Sequence, residues 1–426
     1  MDTGSRIGGE VCRGAKPACR RRSPCARSPR KHWGGAGVDT MNGRPMYRKL
    51  GWRAWLAVLA LCWCAPLWGE TVFPGERWER AEPAALGWSV QQLEQAREKA
   101  EEIGSAAVLV VQDGRVVAEW GEIDRRLDVY SIRKSLLSGL YGVYVGEDRI
   151  DIHRTLEEIE FDDAVTPLTE QERQATIRDL LMSRSGVYVE SAYETRGMRE
   201  KRPEREEYPP GEHWYYNNWD FNALGAILAQ AAGKGLFEAL EQRLAEPLGM
   251  QDFRAEDGRY VVADTSEHPA YPLRMTARDL ARLGWLYLNE GIWDGERLIP
   301  EAWIEESTTP WSPVRSGIGF GYMWWVATGN RQYLTDMGPG SYSARGSGRQ
   351  ALLVIPAHRL VIVHQFERTS EQRSPPRRGL HELLQDIMAA APAIGEGANA
   401  ADLNVEPRVA PGLSHTGTGE VFAWQR

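Results

Sequence analysis

Two blocks of strand-forming sequence, one toward each end of the chain, most constrain what it can fold into. Residues 106–121, "AAVLVVQDGRVVAEWG", are two β-branched runs around Asp113-Gly114, a dipeptide that supplies the positive φ angles of a tight hairpin turn. Residues 351–356, "ALLVIP", and 360–366, "LVIVHQF", form a second pair, preceded by "GYMWWVAT" at 321–328. Between the blocks the periodicity becomes helical. "TIRDLL" (176–181) and "MTARDLARLGWLYL" (275–288) each carry a Thr with Asp three residues later, and "FNALGAILAQ" (221–230) is an apolar helix. Helices also lie outside the strand blocks. At 88–104, Ser89 and Gln92 form a capping box and Gly104 ends the helix, and "LHELLQDIMAA" at 380–390 is the other. The expected class is α+β: an antiparallel sheet built from both chain ends, flanked by the terminal helices, with a mostly helical region inserted between.

Charge and cysteine both mark off the N-terminal region. Residues 1–69 hold 13 Lys+Arg and 3 Asp+Glu. Taken from 51 and 59, that leaves 38 against 56 in residues 70–426, a net charge of -18. All five cysteines (Cys12, Cys19, Cys25, Cys62, Cys64) precede residue 65. The remainder therefore has no disulfide framework, no thiolate nucleophile and no cysteine metal site. Its acidity argues against a nucleic-acid partner, which requires a basic face. Residues 54–68 are an apolar run preceded by Arg44, Arg48, Lys49 and Arg53, the pattern of a secretory signal and short for a membrane span. The expectation is an exported protein, periplasmic or extracellular, attached to the membrane through residues 54–68 if the leader stays uncleaved. Residues 1–40 read as a doubtful extension ahead of a start at Met41 or Met46, and 41–69 as the signal or anchor. The globular domain is placed at 70–390 and a loose Ala/Gly/Pro-rich tail at 391–426.

The chemistry begins at "YSIRKSLLSGL" (130–140). Ser131 and Lys134 sit three apart at the start of a helix, on one face. A hydroxyl in the first turn feels the positive end of the helix dipole. A lysine one turn later takes the hydroxyl proton if its pKa falls from about 10.4 toward 7, roughly 4 kcal/mol of bias. Burial and a neighbouring cation supply such a bias. Arginine does not deprotonate in proteins and cannot substitute. Residues 70–426 contain only Lys99, Lys134, Lys201 and Lys234, so lysine at 134 is not this chain's routine basic residue. Alone, the pair also fits an ordinary amphipathic helix.

Two further segments bear on it. "PPGEHWYYNNWDFNALGAILAQ" (209–230) contains Tyr216-Asn217-Asn218, a YxN before an apolar helix. A phenol relays protons, and an Asn amide can hold a substrate carbonyl and orient the lysine. The plainer reading is an aromatic turn against the core. "SARGSGRQALLVIP" (343–356) is a Gly-bearing strand, which lets a substrate approach backbone closely and offers an N–H to an oxyanion. No GxSxG, HExxH, GxGxxG or Walker loop occurs.

These three segments, in this order, resemble the serine β-lactamase and penicillin-recognising family. The likeness is closer to its class C-like branch of esterases, amidases and D-amino-acid peptidases, and spans residues 71–390. "LLMSRSGV", "NALGAI" and "HPAYPLRMTARDLARLGWLYLNEG" extend it. The resemblance implies Ser131 as acylated nucleophile, Lys134 as its base and Tyr216 as proton carrier. It implies an oxyanion hole from the N–H groups of Ser131 and Gln350, with Asn218, Ser347 and Gly348 at the substrate. No metal or organic cofactor is implied. The third segment departs from the family: Ser347 stands where Lys or His is usual, and Arg349 where a glycine is. Arg345 or Arg349 is left to supply charge for a substrate carboxylate, and Arg184 stands where His is common.

The expected activity is hydrolysis of a small ester or amide through an acyl-enzyme. Esterase comes first, amidase or D-peptidase second, β-lactamase third. The alternative is a weakly or non-catalytic ligand-binding or sensor protein on the same fold. Trp214, Tyr215, Trp219, Tyr322, Trp324 and Trp325 serve as core or pocket wall, and the charged stretch 188–213 reads as a surface loop that can act as a lid. His153, His364 and His381 have ordinary structural readings. His415-Thr416-Gly417 mimics the third motif but lies in the tail.

Overall fold

A computed structural model describes residues 71–369 and 374–393. The leader, the tail beyond residue 393 and the His415-Thr416-Gly417 motif lie outside these residues. Among the described residues no helix is long and apolar enough to cross a membrane.

The expected sheet is present. Its strands are β1 (Glu79–Arg80), β2 (Ala107–Gln112), β3 (Arg115–Gly121), β4 (Ser312–Arg315), β5 (Ile318–Phe320), β6 (Trp325–Ala327), β7 (Tyr342–Gly346), β8 (Gln350–Ile355) and β9 (Leu360–Gln365). They run in the order β1-β3-β2-β9-β8-β7-β6-β5-β4. Every pair is antiparallel except β1 with β3. The two chain ends meet where β2 pairs β9, Val110 opposite Ile362 and Leu109 opposite Val363. The β2–β3 turn has φ 48 at Asp113 and 77 at Gly114, the mirror-image turn whose twist matches the strands. Gly114 is also pressed against Val72 O, which a Cβ would meet at 1.9 Å.

The period-two alternation of the central strands divides the interior into two cores. Val108, Val110, Leu353, Leu360 and Ile362 face the terminal helices α1 (Val90–Glu102) and α5 (Arg377–Ala390). Leu109, Val111, Leu352, Val361 and Val363 face the larger core, which holds α2 (Ile132–Gly146), α3 (Asn218–Ala232) and α4 (Ala277–Leu288). With both faces covered, all of β2 is buried, so it is apolar from Ala107 through Val111 rather than alternating. Helix α2 is buried from Ile132 through Tyr144, as expected of a helix that is apolar on most sides. Thr276 opens α4 by accepting from Asp279 N, and Thr176 makes a full capping box with Asp179.

Three expectations need correction or refinement. At α1 only half of the box forms, Ser89 Oγ accepting from Gln92 N at 3.3 Å. The strand expected at 321–328 shrinks to β6, because Gly321 N bonds Trp324 O and Met323 takes a φ of 64. The 188–213 stretch is surface for most of its length but anchored at its first part: Tyr188, Val189, Ser191, Ala192 and Met198 are buried. Asparagines around the start of α3 hold it, Asn217 donating to Val187 O at 2.6 Å, Asn218 to Tyr193 O at 2.7 Å and Asn222 to Ala192 O at 3.3 Å.

Candidate active site

The chain enters α2 through a strained residue. Tyr130 sits in the turn leading into the helix with a φ of 48, a conformation that is costly for a bulky side chain. Ser131 follows at the N-cap, with φ -76 and ψ -7. Its own N–H donates to no described residue. One turn on, Lys134 is 3% exposed. Lys134 Nζ donates to Ser131 Oγ at 3.0 Å and to Tyr216 OH at 2.9 Å. The structure thus brings the three together from α2 and the segment before α3.

Tyr216 is fixed by its neighbours. Asn217 caps α3 by accepting from Trp219 N, and its own N–H donates to Ser183 Oγ, which in turn donates to Tyr215 O. Tyr215 OH donates to Met198 O. The Tyr216 ring stacks on Trp325 at 5.7 Å and lies 4.9 Å from Phe221. Lys134 Nζ sits 4.5 Å from the Tyr216 ring centre and 4.6 Å from that of Phe221.

This apolar, aromatic setting decides the protonation states. Burial, and then the Arg133 charge, hold the Lys134 amine well below the usual lysine range. Burial pushes the Tyr216 phenol up to about 12, against smaller opposing effects of Ser131 and Arg133. No described carboxylate pairs with Lys134. Both shifts act in one sense: they bias the amine toward its uncharged, proton-accepting form and the phenol toward its protonated, donating form.

The other expected residues are placed differently. Asn218 does not reach Lys134; its amide N–H goes to Tyr193 O, and its Oδ1 is buried with no hydrogen-bond partner. Ser347 and Gly348 lie in the β7–β8 turn, where Gly348 and Arg349 take φ 77 and 67. Gln350 is buried, and its side chain is engaged with both backbone groups of Phe366. Any part it plays in chemistry falls to its backbone N–H. The turn is set against the entry to α2 at Gly346, where a Cβ would sit 2.6 Å from Val129 O.

Neither arginine proposed to replace the missing lysine reaches Ser347. Arg345 donates to Ser343 Oγ and Gln332 Oε1, between the rings of Trp325 and Tyr333. Arg349 Nε donates to Pro375 O at 3.4 Å. The cation at the turn is Arg368, which donates to Ser347 Oγ at 3.2 Å and lies 5.1 Å over the Tyr130 ring. Sequence reading missed it because it follows β9, outside every motif. Arg184 brackets the Pro-Gly turn through Trp311 O and Glu212 O. His364 bridges Ser105 Oγ and Arg349 O, and burial lowers its pKa to about 4.

The aromatic set divides. Trp219, Tyr322 and Trp324 are core, and Tyr215 is buried. Trp214 and Trp325 are half-buried and meet edge to face at 6.3 Å beside Phe320 and Tyr216. They are the part of the set available to line a pocket.

A family model described as beta-lactamase matches residues 90–386. An uncharacterised protein of Alkalihalophilus pseudofirmus is 22% identical over 61% of this chain and 83% of its own length. A D-aminopeptidase of Brucella anthropi is 25% identical over 34% of this chain and 31% of its own length. Solved structures share the fold. One assigned as a 6-aminohexanoate-dimer hydrolase, from Bacillus anthracis, aligns with TM-score 0.52 and 21% identity, covering 74% of this chain and 86% of that one. EstCE1, a hydrolase with promiscuous acyltransferase activity, aligns with TM-score 0.52 and 15% identity, covering 71% and 99%.

Proposed function

This chain belongs to the beta-lactamase family of serine hydrolases, and from that premise we propose that it hydrolyses a small ester or amide through an acyl-enzyme on Ser131. The observation that carries the reading is the buried Ser131–Lys134–Tyr216 set, with Nζ 3.0 Å and 2.9 Å from the two hydroxyls and burial lowering the pKa of the amine.

Ser131 Oγ attacks the carbonyl carbon as its proton passes to Lys134 Nζ. The carbonyl π pair moves to oxygen, which faces the Ser131 N–H and, by family resemblance, that of Gln350. As the tetrahedral centre collapses, the C–O or C–N bond breaks. The leaving group takes a proton relayed through Tyr216, whose hydroxyl is replenished from Lys134. Water then attacks the acyl carbon, gives its proton to the same pair, and Ser131 leaves with a proton restored.

Esters rank first as substrates, amides and D-amino-acid peptides second. The half-buried Trp214 and Trp325 favour an apolar or aryl group beside Tyr216. β-Lactams rank third because Ser347 holds the position usual for Lys or His, although Arg368 stands beside it. Turnover of p-nitrophenyl esters of graded chain length, beside a chromogenic cephalosporin, tests this order. Faster ester than cephalosporin hydrolysis is expected. Tight ligand binding with turnover of neither points to the sensor alternative. Export, with membrane attachment if residues 54–68 are retained, is proposed on the charge and apolar pattern of the leader. N-terminal sequencing of the native protein tests the start at Met41 or Met46, which a peptide from residues 1–40 contradicts, and recovery of the protein only in the cytoplasmic fraction contradicts export.

A further inference from the structure

Arg133 lies between Ser131 and Lys134 in the chain, and the mechanism above gives it no part. It is 3% exposed. Nη1 donates to Tyr130 O at 3.2 Å, while Nε and Nη2 are buried with no hydrogen-bond partner. The guanidinium lies 5.0 Å over the Tyr271 ring and 5.7 Å over that of Tyr193.

The surroundings offer it no counter-ion. Helix α2 contributes Ser131 and Lys134, and the segment before α3 contributes Tyr216. Helix α3 presents one polar stripe. Asn218, Asn222 and Gly225 share a face, and a Cβ on Gly225 would meet the Tyr271 ring at 3.0 Å. Asn218 and Asn222 are neutral, and each has a buried, unpaired Oδ1. Tyr271 is buried, with its hydroxyl unpaired and its pKa raised by burial. Beyond Tyr193, Arg259 donates to Tyr193 OH at 3.2 Å and is itself paired with Asp128 at 3.7 Å. No described carboxylate is bonded to Arg133.

An unpaired cation buried in a core costs stability. Arginine cannot relieve that cost by releasing a proton. Its charge is therefore permanent, and it is weakly screened inside the protein. We infer that Arg133 is a positioning residue whose fixed, unneutralised charge keeps the adjacent Lys134 in the uncharged form that accepts the Ser131 proton. Stacking on Tyr193 and Tyr271 holds that charge in place. The inference rests on Lys134 being the proton acceptor.

The test is the pH profile of kcat/KM for a p-nitrophenyl ester, from pH 5 to 10, in the full-length protein and in Arg133→Met and Arg133→Lys. Activity needs uncharged Lys134, so the acid limb marks its titration. Removing a neighbouring cation raises the Lys134 pKa, which moves that limb to higher pH. Arg133→Met is expected to lose about tenfold at pH 6, one unit of limb shift, and to recover toward the wild-type plateau at high pH. Arg133→Lys is expected to move the limb in the same direction, because a lysine buried there without a counter-ion can release its proton. If Arg133→Met does not fold, Arg133→Gln gives the same readout. Equal loss at every pH, with the limb unmoved, overturns the inference in favour of a packing role. If Lys134→Met keeps the wild-type acid limb and plateau, the mechanism itself fails, a result the Arg133 variants cannot mimic.

Discussion

Lys99 and Lys134 sit on helices α1 and α2, on opposite sides of the same sheet, and they have opposite fates. Lys99 Nζ donates to Glu102 Oε2 at 2.5 Å and lies 3.3 Å from Glu382 on α5, partners that raise its pKa. Around it, Arg97 pairs with Glu94 and Glu101, and Arg378 with Glu382. Lys134 has two hydroxyls, two aromatic rings and a neighbouring arginine, and its pKa is lowered. The outer layer spreads opposite charges across exposed helix faces, where each pair contributes little. The inner helix buries two basic side chains, Arg133 and Lys134, with no bonded carboxylate among the described residues, which stability alone does not favour. The contrast separates a lysine fitted to an exposed helix face from the one proposed to serve chemistry.

The sharpest way to break this contrast is to remove both amines. Lys134→Met is expected to lower kcat/KM at least about a thousandfold, the scale seen when one member of a catalytic unit is lost, without lowering the melting temperature. Lys99→Met is expected to leave kcat/KM unchanged and stability within about 0.5 kcal/mol. Equal activity losses would erase the distinction. Tyr216→Phe keeps the ring stack on Trp325 and removes the hydroxyl at 2.9 Å from Nζ. A kcat loss of about a hundredfold is expected from a lost proton carrier, and stopped-flow acylation and deacylation rates show which step carries it.

Backbone fit gives a smaller effect. Gly346→Ala places a Cβ 2.6 Å from Val129 O, two residues before Ser131. Chemical denaturation is expected to show a loss of about 1–3 kcal/mol, together with lowered kcat/KM. Gly329→Ala, with nothing within 4 Å of its Cβ, should be silent in both assays. A pH linkage gives a separate check. The folded pKa of Lys134 lies below the 10.5 of a free lysine. Between those values the unfolded chain binds more protons, so folding stability rises with pH across that window. Wild type should gain on Lys134→Met as pH climbs through it, in paired denaturation curves. A constant difference between the two would mean that Lys134 titrates as an ordinary lysine.

Much of this was legible in residues. The hairpin at Asp113-Gly114, the apolar pairs at 351–356 and 360–366, and the Thr-x-x-Asp helix starts are local signals, and local signals set the elements found. The pairing of β2 with β9 followed from strands that need both faces covered. Ser131 and Lys134 were readable because three residues on a helix is a fixed distance. Tyr216 came into reach only through the order of motifs. What the sequence hid is long-range. The choice of Tyr193 O by Asn218, the turning away of Arg345 and Arg349, and the arrival of Arg368 at Ser347 depend on how separate segments meet. Arg133 was hidden for another reason: one more arginine in an Arg-rich chain looks like surface until its burial is seen.

The most direct test of the account is covalent. The purified protein is treated with a fluorophosphonate at neutral pH, beside Lys134→Ala, and the adduct is mapped by peptide mass spectrometry. The account predicts one adduct on Ser131 that fades in the variant while both proteins remain folded. A folded wild-type protein left unlabelled at Ser131, or labelled on another residue, would contradict it.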